Sequence, residues 1–205
     1  MKILMTAFDA FGGDSVNASS KALDALFVPE ETAALIKIKL PTVFGKSVSL
    51  LKDEIKKHMP DAVLCIGQAA GRTAVTAERV AVNLIDADIE DNEGFKPVDV
   101  PVEAGAPAAY FATVPVKNIV KAIREEGIPA EISYTAGTYV CNQLFYGVLH
   151  YVSVNLFPVR VGFIHVPKLC GQICSRSDDS PGMELRHIVK ALEIAVRETA
   201  RAGYE

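Results

Sequence analysis

Two segments of this 205-residue chain carry side chains that can do nucleophilic chemistry. In Tyr134-Thr135-Ala136-Gly137-Thr138-Tyr139-Val140-Cys141-Asn142 an extended run passes through Gly137 into a helical pattern. With Thr138 as N-cap, Cys141 falls three residues into the helix. Unpaired backbone N–H groups and the positive end of the helix dipole there favour a thiolate. Such a position is one route to a reactive cysteine; the competing reading is a buried structural thiol, because free cysteine is among the most buried residue types. In Val161-Gly162-Phe163-Ile164-His165-Val166-Pro167 a histidine closes an apolar run just before a proline that cannot continue a central ladder. His165 is therefore expected at the rim of a sheet, in the layer where the helix carrying Cys141 begins. A cysteine and a histidine so placed form a couple in which imidazole takes the thiol proton. The other histidines fit less well: His58 ends a surface helix beside Lys56 and Lys57, and His150 and His187 lie within helical patterns.

A base of this kind needs an orienting group on its far ring nitrogen. Glu78 lies inside the strand-like run Val75–Asn83, where an unpaired carboxylate is costly to bury. Arg79 points to the opposite face of a strand, so Glu78 must meet His165 or another cation such as Arg72. Asp91, in Asp91-Asn92-Glu93-Gly94, is the competing orienter. Two small-residue loops complete the set. Phe8-Asp9-Ala10-Phe11-Gly12-Gly13 does not make GxGxxG, which argues against a nucleotide site. Its phenylalanines are either core plugs or the apolar walls of a small pocket. The second loop is Gly67-Gln68-Ala69-Ala70-Gly71-Arg72. Cys170 and Cys174 lack two further ligands nearby, so they read as ordinary thiols, and neither metal nor cofactor is expected.

The elements that must position these groups alternate in type. Strand patterns cover Lys2–Ala7, Ala33–Leu40, Ala62–Ile66, Val75–Ile85 (with Val80, Val82 and Leu84 on one face), Ile128–Tyr134 and Val159–Val166. Helical patterns cover 18–26, capped by Asn17 or a following serine, then 45–58, 116–126, 138–152 and 183–201. Residues 86–108, with their acids, glycines and prolines, have no period and read as a long functional loop or small hairpin. Strands alternating with helices imply an α/β fold whose mostly parallel sheet is covered on both faces, with its site at the carboxyl ends of strands.

Composition narrows the partners. Half the residues are hydrophobic and 22% are charged, enough for one sizeable core over 1–205. A net charge of -4 argues against nucleic acid as a partner. No apolar run is long enough for a membrane span or signal peptide, and four cysteines at unrelated spacings suit a reducing compartment, so the chain reads as cytoplasmic.

Taken in order, Phe8…Phe11-Gly12-Gly13, Leu40-Pro41…Val43-Phe44-Gly45, Gly71-Arg72, Glu78-Arg79-Val80-Ala81-Val82-Asn83, Asp91-Asn92-Glu93-Gly94, Gly105-Ala106-Pro107, Ala136–Asn142 and Gly162–Pro167 resemble the pyroglutamyl peptidase I (pyrrolidone carboxyl peptidase) family. The resemblance runs through most of the chain. It implies a three-layer α/β/α sandwich with a mixed, mostly parallel sheet, a cytoplasmic homo-oligomer (tetramer or dimer), and a Cys–His–Glu triad made here by Cys141, His165 and Glu78. It also implies peptides with N-terminal pyroglutamate as substrate, Phe8 and Phe11 as aromatic walls, and Gln68 as a pocket-lining position. One departure stands out. The family commonly carries arginine ten residues after the catalytic glutamate, near the thiolate and the developing oxyanion. Here that place holds Asp88, and Glu90 replaces a usual proline. The expectation is a weaker enzyme with a higher Cys141 pKa than a typical relative. Two other readings compete: a relative that binds lactam termini without efficient turnover, and a thiol amidase or general aminopeptidase using Asp88 or Glu90 to hold a free amine.

Overall fold

The structure, a computed structural model, describes residues 1–172 and 182–202. In chain order its elements are β1 (Lys2–Phe8), α1 (Ala18–Ala25), β2 (Ala34–Leu40), α2 (Lys46–His58), β3 (Ala62–Gln68), β4 (Val75–Glu78), β5 (Val80–Val82), β6 (Ala109–Phe111), α3 (Val116–Glu125), β7 (Ala130–Ser133), α4 (Val140–Val154), β8 (Arg160–Val166) and α5 (Leu185–Arg201). The main sheet has the order β2-β1-β3-β8-β4-β7, and β5 pairs with β6 in a separate ribbon. Strands β1, β2, β3 and β8 run parallel, whereas β4 runs against β8 and alongside β7. Helices α1 and α3 pack against α5, and α2 packs against α4, giving an α/β sandwich over a mixed, mostly parallel sheet.

The local chemistry explains the order. Strands β1, β3 and β8 are buried almost end to end, as strands covered on both faces must be. Edge strand β2 alternates and sends Lys37 and Lys39 to solvent, which discourages further pairing. Helix α1 begins where Asn17 accepts a hydrogen bond from the Ser19 N–H at 3.0 Å. Helix α2 ends in a left-handed Met59 (φ 46°) ahead of Pro60.

Three expectations need correction. The run Val75–Ile85 is not one strand: it breaks at Arg79, whose N–H donates to Ser133 O of the main sheet while its carbonyl accepts from Ala112 beside the ribbon. After the switch Val80, Val82 and Leu84 are half-buried and Ala81, between them, is fully buried. Just past the long loop, where no element is expected, lies β6, too short to show a period. Finally, α4 starts at Val140 with Tyr139 as N-cap, so Cys141 is its second residue; the Thr138 hydroxyl donates instead to Asp86 O at 2.7 Å.

Candidate active site

Antiparallel pairing of β4 with β8 places Thr76 directly opposite His165. Glu78, two residues on, shares that face and reaches His165 diagonally. Its Oε1 lies 2.7 Å from His165 Nδ1, and both side chains are buried. The same oxygen accepts from Arg72 Nη1 at 2.6 Å. The sequence poses His165 and Arg72 as alternative partners of Glu78; the structure gives it both. Burial raises the carboxyl's affinity for a proton, but the hydrogen bond to His165, the neighbouring Ser133 hydroxyl and the Arg72 charge outweigh this and hold Glu78 below the usual range. Burial also holds His165 below its ordinary value of 6.5, against the opposing pull of Glu78. A neutral imidazole beside an ionised Glu78 carries its proton on Nδ1 and leaves the Nε2 lone pair free.

Gly67 shows where that lone pair is directed. It lies near the end of β3, paired with His165. A Cβ on Gly67 would lie 3.0 Å from Cys141 Sγ, from His165 Cδ2 and from Phe163 Cε1 alike. The thiol and the imidazole edge bearing Nε2 thus close on one small volume that only glycine leaves open. No side chain caps α4, and its first intrahelical bond is Gln143 N–H to Tyr139 O, so the N–H groups at the start of the helix stay available beside the sulfur. Cys141 itself is half-buried. Burial, with the Glu78 charge second, pushes its thiol up to about 12. Both shifts act in the direction of a thiol and a neutral imidazole rather than an ion pair.

A canopy of loops stands over this floor. Asp91 does not orient His165. Its carboxylate accepts from the backbone N–H groups of Phe44, Glu93 and Phe95, each at 2.9 Å. Burial works against ionisation, but these bonds hold Asp91 below the usual carboxylate range. Asp9 accepts from the Thr42 N–H and hydroxyl, and Asn92 donates to Asp9 and to the Ala10 carbonyl. These bonds knit loops 9–13, 41–45 and 91–95 together. Between them runs an aromatic row: Phe11 lies 6.0 Å from Tyr139, Tyr139 meets Phe44 edge-on at 5.2 Å, and Phe44 meets Phe95 at 6.4 Å.

Phe8 is a core residue, 2% exposed, with its ring 6.5 Å from Phe163, which in turn contacts the His165 ring. Phe11 is half-buried in the aromatic row. Gln68 is buried; its side chain accepts from Ala18 N–H and Gln172 Nε2 and donates to Asp14. Asp88 is exposed and is not among the groups that shift Cys141. Of the remaining histidines, His58 meets Glu54, His150 meets the Tyr110 hydroxyl, and His187 is exposed. Cys65, Cys141 and Cys170 are free thiols; Cys174 lies outside the described residues.

Sequence reasoning misses three contributors. Tyr139 supplies the central ring of the row and donates its hydroxyl to Glu90 O at 3.0 Å. Asn142, fully buried next to the cysteine, exchanges bonds with the Val82 N–H and the Val82 and Leu84 carbonyls, fastening β5 to α4. Gly67 provides the close approach. The one available signal is position: two of the three flank Cys141, and Gly67 opens a loop already marked by small residues.

Comparison with known proteins identifies the family. Residues 1–202 match the family model described as pyroglutamyl peptidase. Pyrrolidone-carboxylate peptidase 1 of Caldanaerobacter subterraneus is 48% identical over 202 residues, covering 98% of this chain and 99% of the relative. The crystal structure of Bacillus amyloliquefaciens pyroglutamyl peptidase I superposes with a TM-score of 0.92 at 46% identity, over 98% of this chain and 97% of that one. Pyrrolidone carboxyl peptidase from Thermococcus litoralis gives 0.93 at 37% identity, over 99% and 94%. The chain belongs to the pyroglutamyl peptidase family.

Proposed function

We propose that the chain is a cysteine peptidase that removes pyroglutamate from peptide N-termini, with Cys141 as nucleophile, His165 as general base and acid, and Glu78 as the group that orients the imidazole. The observation that carries this reading is the convergence of Cys141 Sγ and the His165 ring edge on the space left by Gly67, with Glu78 on the far nitrogen. His165 Nε2 takes the thiol proton as sulfur attacks the pyroglutamyl carbonyl. The oxyanion forms beside the open N–H groups at the start of α4, where fixed dipoles stabilise developing charge. His165 then protonates the leaving amine, and water activated by the same nitrogen hydrolyses the acyl-enzyme.

Pyroglutamate is a compact neutral lactam. Phe11 and Tyr139 provide its apolar walls, Phe8 backs the His165 ring through Phe163, and Gln68 fixes the rim from which backbone groups meet the ring amide. Selection against analogues lacking the lactam comes from polar groups they would leave unpaired. The family resemblance and the free thiols further support a cytoplasmic homo-oligomer.

The test is hydrolysis of pyroglutamyl, prolyl and alanyl fluorogenic amides under reducing conditions by the wild type and Cys141→Ala. Turnover of the pyroglutamyl amide alone, lost in the variant, is expected. Equal turnover of the prolyl or alanyl amide would overturn the specificity, and turnover by Cys141→Ala would overturn the nucleophile.

A further inference from the structure

We propose that Arg72 is a positioning residue for this reaction: bound to the same oxygen of Glu78 that holds His165, it balances the buried carboxylate, so that the imidazole stays neutral and able to accept the thiol proton. The proposal rests on the Cys141–His165–Glu78 reading above.

The geometry is that of a shared anchor. Glu78 is fully buried, and its Oε1 receives both Arg72 Nη1 at 2.6 Å and His165 Nδ1 at 2.7 Å. The guanidinium is held on two further sides, by the Thr76 hydroxyl on β4 and by the Thr135 carbonyl beyond β7, the latter 3.0 Å from Nη2. It therefore ties the start of β4 to the segment that leads into α4 and Cys141.

The charges facing the couple can be named element by element. Helix α4 contributes Cys141, and β3 contributes the buried thiol of Cys65. On β7, Ser133 is uncharged and Glu131 is exposed. Arg79 is turned away over the Phe111 ring, 5.1 Å from its centroid. Among the described residues, Arg72 is thus the permanent cation that touches Glu78.

A buried carboxylate without such a partner takes up a proton, on itself or through the imidazole it contacts. Either position disables the base: a protonated His165 has no lone pair for the thiol, and a protonated Glu78 no longer favours the productive tautomer. Arg72 supplies a fixed positive charge in contact with Glu78. It therefore removes the need for that extra proton, and its charge acts in the direction of lowering both the His165 and the Cys141 pKa. The guanidinium is also accessible. Its side chain is 25% exposed and lines an open cleft of about 390 Å³ with Thr73, Thr76, Glu131 and Ser133.

The experiment is the pH dependence of kcat/KM on a pyroglutamyl fluorogenic amide for the wild type, Arg72→Met and Arg72→Lys, with folding checked by thermal melting. Arg72→Met is expected to move the acid limb to higher pH. Its kcat/KM near neutral pH should fall by about tenfold or more, part of the roughly 10²–10⁴-fold that a positioned base contributes. Arg72→Lys, which keeps the charge but not the fork, should return the limb towards its wild-type position. In Arg72→Ala, methylguanidinium at sub-denaturing concentration should restore activity and urea should not. An Arg72→Met enzyme with an unmoved acid limb, or equal rescue by urea, would overturn the proposal. Absence of turnover in the folded, reduced wild type would instead overturn the triad reading beneath it.

Discussion

Glu78 and Asp91 are both buried carboxylates beside one active-site cleft, 0% and 6% exposed, yet they solve their burial in opposite ways. Asp91 is satisfied by backbone N–H groups of its own loop and of the loop at Phe44. These donors are neutral and fixed, so the acid serves as a knot that shapes the canopy. Glu78 is satisfied by an imidazole and a guanidinium on a single oxygen, while Oε2 has no hydrogen bond. The Ser133 hydroxyl across the β4–β7 pair donates to Thr135 O, and a rotation would bring it to that oxygen. A carboxylate held by titratable and charged side chains transmits its charge to the chemistry; one held by backbone transmits only shape.

Exchanging each acid for its amide separates these roles. Glu78→Gln should lose on the order of 10³–10⁴-fold in kcat, the scale seen when a triad acid is made neutral, while KM stays near that of the wild type. Asp91→Asn should act on the canopy. Losing acceptors for Phe44, Glu93 or Phe95 costs about 1–3 kcal/mol of stability, read as a lower Tm and a higher KM with the acid limb unmoved. If Asp91→Asn shifted the acid limb, or Glu78→Gln only lowered Tm, the division between floor and canopy would fail.

Acidic pH should act on both carboxylates in one direction. Glu78 and Asp91 have lowered folded pKa values, so their stabilisation is present above the unfolded carboxylate value and is lost as pH falls through the folded one. His165 is also lowered, so below 6.5 the unfolded chain binds its proton more readily and stability falls further. Both effects have the same sign, and urea midpoints should decline steadily from neutral to acidic pH.

Gly67→Ala probes the floor without touching a charge. Its Cβ would meet Cys141 Sγ and the His165 ring at 3.0 Å, so one of them must shift. A drop of about 10–100-fold in kcat/KM is expected, because small misplacements of reacting groups are costly. The smallest effect belongs to Asp88→Arg. The exposed position should change kcat/KM by less than about threefold, as exposed charges are well screened. A large gain, with Cys141 alkylated at lower pH, would mean that this loop brings residue 88 onto the site when substrate binds.

The floor was more legible in the sequence than the canopy, for physical reasons. Cys141 and His165 each sit at a boundary marked by a residue type, Gly137 before the helix and Pro167 after the strand, so their level in the sheet can be read locally. The choice between Glu78 and Asp91 could not be made that way. It depends on β4 running against β8, a long-range pairing that no local period records. The break at Arg79 escaped for the same reason, since one residue there serves two sheets. The helix start was misplaced by one residue because Thr138 is chemically a good cap but spends its hydroxyl on Asp86. The canopy is held by backbone N–H donors to Asp91 and by rings far apart in sequence, and neither leaves a periodic trace.

The most direct test of the account is to label the enzyme with a chloromethyl ketone of pyroglutamate and map the modified residue by peptide mass analysis while following turnover. The account predicts modification of Cys141 in step with loss of activity, slowed by free pyroglutamate and absent in Cys141→Ala. Modification of Cys65 or Cys170 in step with inactivation, or full activity after Cys141 is blocked, would contradict it.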